Sequence, residues 1–141
     1  MGRYSANLIK RGAYATAMTA FASGAAPKSL NGKTIFPDYI ETGSLAAHVS
    51  VNARTNTLTI AAVWEVSDDN STFVPCRLAN NPASVVLVTG PGSDVALEGT
   101  IDAPAAVYAK PYARLRLVTG TGSADGTNDK GAIKYFYREV E

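Results

Sequence analysis

The sequence predicts an all-β protein: an antiparallel β-sandwich, immunoglobulin-like or jelly-roll, with an extended or short-helical N-terminal arm. Three observations carry that reading. After residue 40 the apolar side chains recur with period two, as half-buried strands require. Clusters of Gly, Pro, Asn, Asp and Ser interrupt these runs at the spacing of sandwich or barrel turns. No helical pattern long enough to supply a crossover lies between the runs, which argues against a parallel sheet.

Residues 1–33 form the arm. Its alanines favour helix, but Tyr14, Met18 and Phe21 are the large apolar groups of residues 13–22 and would line one helical face. A helix that short is marginal alone, so the arm is expected to be loose when free and to order, helical or extended, against a partner. The segment Pro27-Lys-Ser-Leu-Asn-Gly32 reads as a turn into the body, residues 34–141.

In the body, residues 33–39 read as a short edge strand, because Pro37 lacks a ladder donor. Residues 45–53 place Leu45, Ala47, Val49, Val51 and Ala53 on one face and His48, Ser50 and Asn52 on the other. Residues 54–57 connect to the clearest strand, where Leu58, Ile60, Ala62, Trp64 and Val66 share an apolar face, so residues 45–66 read as a hairpin. A polar turn at 67–72 leads to a short edge strand at 73–76. Further strands are expected at 84–89, at 95–101, at 107–118 with Tyr112, Arg114 and Arg116 on one face, and at 132–140. Residues 120–131 read as a long loop.

At 141 residues the chain has the size of one domain that can bury its own core. The lone Cys76 permits no intrachain disulfide, and no thiolate zinc framework is available. Synthesis in a reducing compartment follows. Residues 13–26 lack the leucine-rich centre of a secretory leader, and no apolar run approaches the length of a membrane helix, so no membrane is expected as a partner. The net charge of +1 hides an asymmetry. Residues 1–37 hold five basic and no acidic side chains, whereas residues 38–141 hold 8 basic and 12 acidic ones. Such an asymmetry can steer the arm toward an acidic protein surface, nucleic acid or an anionic membrane, and equally lets it fold back onto its own body or a neighbouring subunit.

The sequence carries little catalytic chemistry, and no enzyme, cofactor or metal site is expected. His48 is the only histidine and sits on a strand's polar face. No serine occupies a G-x-S-x-G elbow. Asp68 and Asp69 are adjacent in a turn and point apart, unlike the carboxyl pair of a glycosidase. The loop around Asp125 and Asp129 lacks the EF-hand pattern. The glycine pieces at 90–92 and 120–122 carry no G-K-[ST] ending. Arg114 and Arg116 with Tyr112, and Lys134 and Arg138 of the final strand, suggest a basic aromatic face, but the body is net acidic and nucleic acid is not the expected partner. Tyr135 and Tyr137 lie opposite Phe136, and a tyrosine face suits an interface because each ring buries area and keeps a polar tip.

The segments Trp64-Glu-Val-Ser-Asp-Asp-Asn-Ser-Thr-Phe73 and Tyr108-Ala-Lys-Pro-Tyr-Ala-Arg-Leu-Arg-Leu117 together resemble the small β-sandwich virion proteins of tailed bacteriophages. In these, a tryptophan strand enters a polar hairpin and a later strand has the form Tyr-x-Arg-x-Arg. The resemblance spans about residues 57–118, and some proteins of this kind look like capsid decoration, or cement, proteins. It implies a structural protein made in the host cytoplasm and placed on the outer surface of the capsid. Its partners would be the major capsid protein and neighbouring copies of itself, as a homotrimer. Tail, neck or baseplate components share the pattern, and a carbohydrate-binding module would use similar aromatics. The expected partner-binding residues are Arg3, Lys10, Arg11, Tyr14, Met18 and Phe21 of the arm, with Arg114, Arg116, Tyr135 and Tyr137 of the body.

Overall fold

The computed structural model describes residues 14–36, 44–76 and 84–138. Eleven strands follow in order: β1 (Thr19–Ala20), β2 (Gly24–Ala25), β3 (Ser29–Asn31), β4 (Ser44–Ala53), β5 (Thr59–Ser67), β6 (Val74–Pro75), β7 (Ser84–Thr89), β8 (Val95–Asp102), β9 (Tyr112–Thr119), β10 (Ser123–Ala124) and β11 (Lys130–Arg138). A short 3-10 turn at Ala105–Ala109 precedes β9. All strand pairings are antiparallel, and the fold is a β-sandwich.

One sheet has the order β1-β11-β4-β8, and the facing sheet runs β3-β9-β5-β6, with β7 also paired to β5. The inner faces follow from the period-two pattern. Leu45, Val49 and Val51 of β4 and Ile133 and Tyr135 of β11 meet Ile60, Trp64, Leu115 and Leu117 of the second sheet in one core. Trp64 is 4% exposed, and its ring lies 5.7 Å from that of Tyr135. β9 alternates without a break: Ala113, Leu115 and Leu117 are buried, whereas Tyr112, Arg114 and Arg116 are half-buried on the outer side.

Residues 45–66 are not a hairpin. β4 is paired on both sides, to β11 and β8, and β5 on both sides, to β9 and to β6 and β7. The chain between them therefore crosses from one sheet to the other. The crossing is held by Asp129, whose carboxylate accepts hydrogen bonds from the amides of Arg54 (2.8 Å) and Thr55 (3.1 Å) and from the Thr55 hydroxyl (2.5 Å). A local turn signal cannot distinguish such an arch from a hairpin, because the choice rests on partners about 75 residues away.

The described part of the arm is woven into the body as extended chain. Ala15 bridges to Lys134, β1 pairs with β11, β2 with β10, and β3 with β9, so residues 15–31 tie one sheet to the other. Phe21 is fully buried between the sheets. Removing a ring of that size from a closed core costs about 3–5 kcal/mol. The expected strand at 33–39 contracts to a single bridge, in which Ile35 and Ala113 exchange amide-to-carbonyl bonds of 2.9 and 3.0 Å; residues 37–43 lie outside the described residues. The expected strand at 107–118 begins only at Tyr112, because Val107 lies in the 3-10 turn. The loop at 120–131 contains β10.

Candidate interaction surface

On the outer face of the β3-β9-β5 sheet, the two arginines of the Tyr-x-Arg-x-Arg strand converge on one carboxylate. Glu65 of β5 stands opposite Arg114 of β9, and Val63 stands opposite Arg116. Strand period two thus brings both guanidinium groups to the same side as Glu65. Arg114 Nε donates to Glu65 Oε1 at 3.0 Å, and Arg116 Nε donates to Oε2 at 3.1 Å. Glu65 is 4% exposed, so its charge is tolerable only because each oxygen has a cationic donor. The Arg114 guanidinium also lies 3.9 Å from the centroid of the Phe73 ring, and Phe36 and Tyr112 make a tilted ring pair, 5.6 Å between centroids. The cluster carries a net charge of +1, and Arg116 also donates to the Ser29 hydroxyl at 3.1 Å on the same face, beside Ala61, Val63 and Val118.

The polar hairpin that follows β5 is organised by Asp69. Its carboxylate accepts from the amides of Thr72 and Ser71 and from the Ser67 hydroxyl, and these bonds hold its carboxyl below the ordinary value. Asn70 at φ 59 is one of the residue types that tolerate the left-handed region. Asp68 points away to Lys110, 3.1 Å distant. Asp125 and Asp129 also have structural roles. Burial opposes the charge of Asp125, but amide donors from Thr127, Asn128 and Asp129 outweigh it and lower its pKa to about 2. Asp129 is fully buried, and hydrogen bonds from Thr55, Arg54 and Asp125 overcome its desolvation and hold its carboxyl below the usual range. Burial raises the Cys76 thiol above its usual pKa, with the nearby Glu65 charge adding to the effect.

The expected interaction residues separate clearly. Arg3, Lys10 and Arg11 lie outside the described residues. Tyr14 is half-buried against the core, Phe21 is inside it, and Met18 stays 46% exposed. Tyr135 is in the core at 1% exposure, where its hydroxyl accepts the Leu115 amide at 2.8 Å, so it is closed to any partner. Burial pushes its phenol pKa up. Gly32 lies against that hydroxyl, and a Cβ there would collide with it. Tyr137 is half-buried on the core edge. His48 is on the outer face of β4, its Nε2 4.0 Å from Glu98 Oε1.

Glu65 was not among the expected residues. Its signal was a lone acid in an apolar strand, matched by a pair of arginines at strand period elsewhere in the chain. Among the described residues no cluster of three or more His, Cys, Asp or Glu side chains is placed to hold a metal ion.

No protein-family model and no curated protein matches this chain. Among solved structures it is similar to a chain of infectious bursal disease virus, Gx strain, at 15% identity and a TM-score of 0.46, over 86% of this chain and 31% of that one. A chain of the T13 particle of the same virus aligns at 12% identity and a TM-score of 0.38, covering 88% of this chain and 29% of the other. The enzymatically active domain of tailspike protein 4 of bacteriophage CBA120 aligns at 15% identity and a TM-score of 0.34, covering 96% and 21%. This chain spans less than a third of each of those proteins. A likeness of this order transfers neither activity nor partner.

Proposed function

We propose that the protein is a structural component of a tailed-phage virion: a capsid decoration protein that binds major capsid subunits on the outside of the head, in threefold clusters, and reinforces the shell without turnover. The sequence motifs around Trp64 and Arg114 favour the virion class, and one structural observation favours a mechanical role within it. Residues 15–31 cross from one sheet to the other with Phe21 seated between them, so the root of the arm is fixed to both sheets. A tether anchored in that way passes a pull on residues 1–13 into the whole core and not into one peelable edge strand. Those residues carry Arg3, Lys10 and Arg11 and no acid, which suits an acidic patch on a capsid subunit. Tyr14 and Phe21 are committed to this chain's own body, so grip on a partner falls to the three cations and to the exposed Met18. Repetition over a symmetric lattice turns modest contacts into durable attachment.

The test is co-sedimentation of the protein with undecorated capsids of the virus that encodes it. Replacing Arg3, Lys10 and Arg11 together by Gln is expected to weaken capsid binding at least about tenfold and leave the melting temperature unchanged. Binding that ignores the three substitutions sinks the tether. Absence of binding to heads, with binding to tails or necks, moves the protein to the tail.

A further inference from the structure

We infer that the outer face of the β1-β11-β4-β8 sheet is a two-fold contact surface for a second copy of this chain. This inference goes beyond the decoration reading and does not depend on it. The surface has three stripes. β11 contributes the cations Lys130 and Lys134. β4 contributes a low polar stripe of His48, Ser50 and Asn52. β8 contributes the exposed carboxylates of Glu98, level with Ser50, and Asp102, level with Ala46. Within one chain the opposite charges cannot close on each other, because β4 separates their strands by two strand spacings, about 10 Å. Among the described residues neither lysine has an ion-pair partner, and Glu98 meets only the Ser50 hydroxyl at 3.3 Å and His48 at 4.0 Å. The Glu98 side chain stays 73% exposed.

Register makes this pattern self-complementary. Lys134 is level with His48, Glu98 with Ser50, and Lys130 with Asn52, so Glu98 lies at a height midway between the two lysines. A two-fold axis parallel to β4 places β11 of one copy over β8 of the other without shifting height. Each Glu98 then falls between Lys130 and Lys134 of the facing copy, above the small Ala132. Facing sheets stack about 10 Å apart, a gap that a lysine and a glutamate span together. The contact is isologous and closes at two copies. Four strands of this length offer about 500 Å² per copy, which places the pair among weak contacts whose strength is set by charge and raised by repetition on a lattice.

Sedimentation velocity and light scattering of the full chain, from about 10 to about 500 µM in low salt, test the contact. The expected result is concentration-dependent doubling of the mass, whether the smaller species is one chain or a threefold cluster, reversed by raising the salt. The acidic variant Lys130→Glu/Lys134→Glu and the basic variant Glu98→Lys should each dissociate at least tenfold more readily than the wild type, because like charges then face each other. Equimolar mixing of these two variants should restore pairing, since the contacts of position 98 with positions 130 and 134 are all attractive again, and the triple reversal in one chain should restore it as well. Circular dichroism and thermal melting check that each variant is folded, with Lys134→Glu alone replacing the double variant if Lys130 proves necessary for folding. A mass that never doubles overturns the proposal, as does doubling that ignores the reversals or is not rescued by mixing. Capsid binding is scored separately, so either reading can fail without the other.

Discussion

The outer faces of the two sheets manage charge in opposite ways. On the β9-β5 face, cations and carboxylate stand on adjacent strands, and Glu65 is neutralised within the chain by Arg114 and Arg116. On the β11-β4-β8 face, a polar strand separates Lys134 from Glu98, and both of these side chains stay exposed. Adjacency converts charge into internal stability, whereas separation by one strand leaves it available to another molecule. Substitutions on the first face should therefore act on folding, and those on the second on association.

The largest contrast is expected at Glu65. Glu65→Ala strips two half-buried guanidinium groups of their counter-ion and should cost about 3 kcal/mol, at the low end for a buried pair because each arginine side chain remains about a quarter exposed. Urea denaturation measures it. Glu65→Leu/Arg114→Met/Arg116→Met removes every charge of the cluster and should recover most of the loss. A triple variant as unstable as Glu65→Ala would mean that the clamp supplies shape rather than charge balance.

A smaller effect is expected at the arch between the sheets. Asp129→Asn turns one acceptor oxygen into a donor facing the Thr55 hydroxyl and the Asp125 amide, and should cost about 2 kcal/mol. The acid dependence follows from the direction of the shifts. Asp125 and Asp129 have folded pKa values below their unfolded ones, so their stabilisation is present above the unfolded pKa near 3.8 and is lost as pH falls through the folded values, about 2 for Asp125. Thermal melting should therefore drop between about pH 4 and about pH 2, and Asp125→Asn should flatten that drop. An unchanged acid profile in Asp125→Asn would show that other carboxylates govern it.

Much of this organisation was legible in the sequence because period two reports burial directly. The faces of β4, β5 and β9 follow the alternation of Leu45 to Ala53, Leu58 to Val66 and Tyr112 to Val118, and Trp64 lies in the core where that pattern puts it. What stayed hidden depends on distant partners. The arch at 54–57 turns on Asp129. Tyr135 and Phe136 alternate equally well in either orientation, and only the facing sheet decides that Tyr135 points inward to the Leu115 amide. Of the arm's two expected conformations, helical and extended, the described part takes the extended one for a related reason. Tyr14, Met18 and Phe21 fit a helical face, but the extended edges of β11 and β9 offered backbone partners that no helix could use, and Phe21 found its cavity in its own chain.

The smallest expected effect belongs to Lys134. Its side chain is exposed and has no ion-pair partner among the described residues, so Lys134→Gln should change the unfolding free energy by no more than about 0.5 kcal/mol. Arg114→Gln, on the opposite face, removes the charge of a guanidinium that closes on Glu65 and stacks on Phe73, and should cost several times more. The ratio of these two costs, measured under the same denaturation conditions, isolates the effect of an adjacent carboxylate, because both substitutions remove one positive charge from the outside of a sheet. If the costs are equal, the adjacency of Glu65 contributes nothing and the two faces are equivalent surfaces. If Arg114→Gln costs more, the sheet registers account for it: the second face is left with charge that does not serve folding.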